Sequence, residues 1–261
     1  MVIDTSMVYS FHSDLDRAEH LLQLIKDFRE FAAERIPAEI EEERPSWKAA
    51  KSLHESAADV RTDLPVLAGS ILLYICGRFE FFVRELVAAI GDELASSADK
   101  YESLPDGMRT ELLARTIEIV KTPHKFNHTP ATAAQLLIAL SDSLRAPEEA
   151  STVIIESSVL TITDANMGQK VLSDIFKRVN INSIWPEIGK QASMKLIIGT
   201  ASDGDCTKQA QQRLEKMMQD RNGIAHPTSN TTFPDPDQVL TSTAFLRALS
   251  STLVELARIP R

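Results

Sequence analysis

An all-α fold is what this sequence predicts, and three observations carry it. Glycine occupies only 9 of 261 positions, apolar residues recur at helical spacing along most of the chain, and prolines and cap-type residues fall between the periodic stretches. With 43% hydrophobic residues, a chain of this length can bury a substantial core without a disulfide or a metal.

The first helix is predicted from Leu15 to Ile36, where Leu15, Ala18, Leu22, Ile25, Phe28 and Ala32 keep one face apolar. Pro37 and the acidic run Glu39 to Glu43 interrupt it. A second helix is expected to begin near Ser46, an N-cap type, and to reach Val60. The stretch Val66 to Leu94 is the most apolar in the chain and predicts a central, buried helix. Its Arg78, Glu80, Arg84 and Glu85 then need partners or a polar cleft, and Glu80 and Arg84 are spaced to pair at i and i+4.

Further helices are expected over Asp106 to Val120, Ala131 to Leu144, Gly168 to Val179 and Thr207 to Asp220. The β-branched residues of Thr152 to Ile162 predict an extended segment or a short hairpin between them. The last helix begins at Asp235-Pro236, an N-cap followed by proline at the first helical position, and carries Val239, Leu246, Leu249, Leu253 and Leu256 inward. No repeat or low-complexity linker divides the chain. It reads as a helical domain over 66–261 with an N-terminal helical extension over 1–65.

A net charge of −9 argues against a surface coated for indiscriminate nucleic-acid binding, while leaving room for a local basic cleft or a basic protein partner. The N-terminus lacks a basic start and apolar run, and the central stretch is expected to be too short and too charged to span a membrane. A soluble, cytoplasmic protein without a membrane partner is the expectation. Cys76 and Cys206 then stay reduced, since two thiols at unrelated positions make no disulfide framework.

His124 and His128 have the spacing of helix-borne zinc ligands, but Pro123 and Pro130 predict a loop there instead. The chain has no glycine-rich phosphate loop, no paired Cys-x-x-Cys and no Gly-x-Ser-x-Gly, so the commonest NTPase, zinc-ribbon and hydrolase signatures are missing. Neither a cofactor nor a metal is expected.

Chemistry concentrates at the end of one amphipathic helix, Leu214-Glu215-Lys216-Met217-Met218-Gln219-Asp220-Arg221-Asn222-Gly223-Ile224-Ala225-His226-Pro227. An Arg-Asn pair followed after three residues by His, near the end of a helix, resembles the signature of the HEPN superfamily of ribonucleases and nucleotide-binding proteins. Ser70 to Glu85 is similar to the first core helix of the RiboL-PSP-type and related prokaryotic HEPN families. Ile162 to Ile181 is similar to the asparagine-containing turn and helix that precede the motif helix there. The resemblance covers residues 66–258 and implies an antiparallel HEPN helical bundle with extra N-terminal helices.

RNA cleavage without a metal needs a group to move the 2′-hydroxyl proton and a cation to stabilise charge on the phosphate oxygens. Imidazole exchanges protons near neutral pH, and guanidinium forks onto two phosphate oxygens, so His226 and Arg221 suit those tasks. Asn222 and His226, four apart, share a helix face, where the amide can orient the ring or touch substrate. Arg221 and His226 are about 140° apart on an ideal helix, which calls for distortion near Gly223 and Pro227 or for the long arginine to curl round. The structural alternative is that Arg221 pairs with a carboxylate and His226 caps the helix end.

The resemblance implies a homodimer in which two motifs converge, with RNA as substrate and possible control by an antitoxin or other regulatory protein. It also matches Glu80 to an acidic position that can hold the arginine, beside the intrahelical pair with Arg84 already noted. Arg78 and Thr228 are further supporting candidates. Thr228 departs from the tyrosine that several HEPN toxins carry two residues after the histidine. Two functions therefore stand: a metal-independent endoribonuclease in a toxin or phage-defence setting, and a non-catalytic module that binds RNA, nucleotide or a protein partner.

Overall fold

The computed structural model describes residues 4–35, 45–145 and 153–259. Among these residues there are ten α-helices and no strand. They are α1 (Ser6–Ala33), α2 (Pro45–Asp59), α3 (Leu64–Ser96), α4 (Asp106–Lys121), α5 (Pro130–Arg145), α6 (Gln169–Lys177), α7 (Ile184–Lys190), α8 (Ala192–Ile198), α9 (Asp203–Ala225) and α10 (Pro236–Ala257). The predicted Pro37 break and the acidic run Glu39 to Glu43 lie outside the described residues.

Helix α3 is the spine, about 50 Å long at 1.5 Å per residue, with α1, α9 and α10 packed along it. Leu72, Ile75, Phe79, Phe82, Val83 and Leu86 are buried on it, so α3 is apolar because other helices cover it. By length and composition it is also apolar enough to cross a membrane, with a mean hydropathy of 1.7 over its best window, half of it buried in the fold. The expectation that this stretch is too short and too charged to span is thereby corrected: 33 residues exceed the span, and the few charges in the most apolar window do not offset its hydropathy.

The N-terminal helix α1 shares this core. Phe11 stacks on Phe82 with ring centroids 5.3 Å apart, and Leu15, Ala18 and Leu22 follow on the same face. Each such apolar side chain contributes about 1.5–3 kcal/mol on burial. Asp14 is buried with them and is matched by Tyr74 Oη at 2.7 Å and by Arg78, whose guanidinium also lies over Phe81. Arg78 is thus occupied with α1.

The expected extended segment does not form a strand. Its described part, from Val153, runs irregularly into a 3₁₀ turn at Ser157–Thr161. Val159 and Leu160 plug into the groove between α3 and α4, so burial against helices overrides their β preference. His124 and His128 do lie in a loop, the first in the 3₁₀ turn Pro123–Phe126.

Two caps place the functional end of the molecule. Ser202 Oγ accepts from the Asp205 amide at 3.3 Å to start α9. Asp235 and Gln238 form a reciprocal capping box at the start of α10, and Arg29 from α1 clamps Asp235 at 2.7 Å. Gly189 permits α7 to lie against the start of α9, since a Cβ there would stand 2.6 Å from the Asp203 carbonyl oxygen.

Candidate functional site

Along α9 the apolar stripe Ala210, Leu214, Met217, Met218 and Ile224 faces the core, and Arg221 stands in the middle of that stripe. Its Nε is buried and has no partner. Its far end turns aside, with Nη1 donating to Asn222 Oδ1 at 3.2 Å. Asn222 lies on the flank of α9 that faces the turn before α6, and the same Oδ1 accepts from Asn166 Nδ2. Seven residues earlier on that flank, Glu215 accepts from the Gln169 amide at 3.3 Å. Gly168 lets the Glu215 carboxylate come this close: a Cβ would meet Glu215 Oε2 at 2.8 Å and push that side chain aside.

Glu80 closes the other side of the turn. Its Oε1 accepts from the Met167 amide at 3.3 Å, so the carboxylate is spent on backbone. The expected pair with Arg84 does not form, and no ion pair joins Glu80 to Arg221. Arg84 donates to Thr163 Oγ1 at 3.0 Å instead. The thiol of Cys76, buried one turn before Glu80, is pushed up to about 12 by burial, with Glu80 and Arg221 acting on it in opposite directions. It is no nucleophile.

The helix stays regular through Gly223 to Ala225, and the His226 amide still donates to the Asn222 carbonyl at 3.0 Å. His226 then leaves the helix at φ −125° and ψ 69°, as a residue before proline must. The expected distortion at Gly223 is absent. Arg221 turns its far end to the neighbouring Asn222, four residues before His226. The His226 ring is exposed and bonds to no described residue.

Thr228 belongs to the turn that follows. Its amide donates to Thr231 Oγ1 at 2.7 Å, and Thr231 Oγ1 donates to the Gly223 carbonyl at 3.4 Å, satisfying one of the last acceptors of α9. Asp220 is held by Lys216 at 2.5 Å and so leaves Arg221 free of an acidic partner. Of the structural roles weighed above, the carboxylate partner of Arg221 is not observed, whereas His226 does cap α9, through its amide on the Asn222 carbonyl and not through its ring. A cleft of about 390 Å³ lined by Lys216, Met217, Phe233 and Ser242 lies on the opposite flank of α9, away from this group.

Residues 38–257 match the family model described as RiboL-PSP-HEPN. The chain belongs to the RiboL-PSP-HEPN family. Neither a curated protein nor a solved structure matches it. The HEPN domain is generally associated with ribonuclease activity, and the matched residues include Arg221, Asn222 and His226. Asn166 was not singled out from the sequence; its signal was the asparagine in the turn before α6. Among the described residues no three His, Cys, Asp or Glu side chains gather as a metal site.

Proposed function

We propose that this chain is a metal-independent endoribonuclease acting as a cytoplasmic homodimer in a toxin–antitoxin or phage-defence setting. One observation carries it: at the end of α9 Arg221 is held by a neutral amide without a carboxylate, and His226, five residues on, has an exposed ring that bonds to no described residue. An uncompensated guanidinium and an open imidazole are the two groups that a phosphate transfer needs. The 2′-oxygen attacks phosphorus, its proton passes to His226, and Arg221 forks onto the phosphate oxygens as charge builds. The bond to the 5′-oxygen breaks, and that oxygen takes a proton from the second motif of the dimer or from water. The products carry a 2′,3′-cyclic phosphate and a 5′-hydroxyl.

Purified protein incubated with mixed RNA in excess chelator, followed by end-group analysis, tests this. Cleavage that survives chelation and leaves cyclic ends supports it; cleavage abolished by chelation overturns it. Among the described residues none orients the His226 ring, which favours a second function, a module that binds RNA, nucleotide or a regulatory protein without cutting. Binding without cleavage is its result.

A further inference from the structure

On α9 Arg213 donates to the Ile197 carbonyl, and several arginines of the fold are matched to carboxylates, Arg78 to Asp14, Arg115 to Glu111 and Glu118, Arg178 to Glu111. Arg84 is not. Among the described residues, Arg84 and Arg221 alone combine a buried nitrogen that lacks any partner with the absence of a carboxylate ion pair. Arg109 also keeps such a nitrogen but is paired to Asp106.

The same turn joins these two arginines. Arg84 holds it at Thr163, and Arg221 reaches it through Asn222 and Asn166. Glu80, which fixes Met167 between them, precedes Arg84 by one turn of α3, a rise of about 6 Å. The acid within the turn, Asp164, is taken by Lys125 at 2.7 Å, with Arg115 at 3.7 Å. A part-buried guanidinium that makes no ion pair is costly in the free protein, and a phosphate anion relieves that cost.

We propose that Arg84 is a phosphate-binding subsite for RNA, holding a phosphate other than the one at Arg221 and His226. The strand then runs across the Thr163–Met167 turn, with Arg84 and Arg221 at its two sides. This inference rests on the ribonuclease function proposed above, and Arg84 binds without touching the reacting atoms.

The test measures binding of a short mixed-sequence single-stranded RNA by the full chain in a His226→Ala background, over a range of salt. Arg84→Gln is expected to weaken binding about tenfold and to reduce the slope of log affinity against log salt by about 0.7, one phosphate contact. Arg84→Lys restores the slope. With His226 present, Arg84→Gln raises KM while leaving kcat within about twofold, as lost uniform binding does. Thr163→Val removes the acceptor but not the charge, and leaves affinity within about twofold. Affinity indifferent to Arg84, or a loss in Thr163→Val equal to that in Arg84→Gln, overturns the subsite alone. Absence of both RNA binding in the His226→Ala background and cleavage by the wild type overturns the ribonuclease function and the subsite together.

Discussion

Asn166 donates its side-chain amide to Asn222 Oδ1, so a turn 56 residues earlier in the chain fixes the amide that steers Arg221. Arg221 therefore has its Nη1 end tied to the Asn222 amide while its Nε stays buried. Asn166→Ala is expected to lower cleavage about tenfold while leaving the melting temperature within a few degrees, because the contact positions one side chain and sits at the surface of the fold. Steady-state kinetics beside thermal melting checks it, and unchanged kcat/KM removes Asn166 from the site.

Gly189 lets the α7 backbone touch the start of α9. In Gly189→Ala the new methyl meets the Asp203 carbonyl, which belongs to the backbone and cannot swing away. A loss of about 1–3 kcal/mol in urea unfolding is expected from such overpacking, against a gain of a few tenths if the glycine were merely flexible.

His12 on α1 faces α10, with Ser250 Oγ at 3.0 Å from Nε2 and Arg247, Asp16 and Glu19 around it. Burial, then the charge of Arg247, lowers its pKa. The folded state thus binds fewer protons than the unfolded state just below the ordinary histidine value, about 6.5. Stability is full above that pH and falls as pH drops below it. The urea midpoint should decline from about pH 7.5 to about pH 5, and His12→Gln should flatten that decline. An equal decline in both proteins would remove His12 as its source.

Helix-level architecture was legible because α3, α4, α5 and α10 obey a plain rule: apolar residues at helical spacing bounded by proline or a cap. At α10 even the Asp235-Pro236 start is where the residues place it. The short helices α7 and α8 were not legible, since seven residues are too few to show a period and tertiary packing decides them. Val153 to Ile162 misled because β-branched side chains serve helix grooves as well as sheets. At the candidate site, Arg221, Asn222 and His226 are proposed from the spacing at the end of one helix. What joins them to Asn166, and what Glu80 and Arg84 hold, depends on contacts between distant segments that no local spacing encodes.

A single chain offers one guanidinium and one ring at the motif, which is few groups to clamp a phosphate and move two protons. A homodimer with the motif ends of α9 facing across a two-fold axis supplies a second set and concentrates positive charge locally despite the net −9. Mass photometry at assay concentrations is expected to show dimers. Monomers alone, with cleavage undiminished, would remove the composite site.

Cleavage of mixed RNA by wild type, Arg221→Ala and His226→Ala, each purified free of contaminating nuclease and matched by melting temperature, tests the central claim most directly. Each substitution is predicted to lower the rate by about a hundredfold or more with helicity and melting unchanged, the loss of a charge stabiliser in one case and of a proton carrier in the other. Full activity in either variant would contradict the assignment of the site.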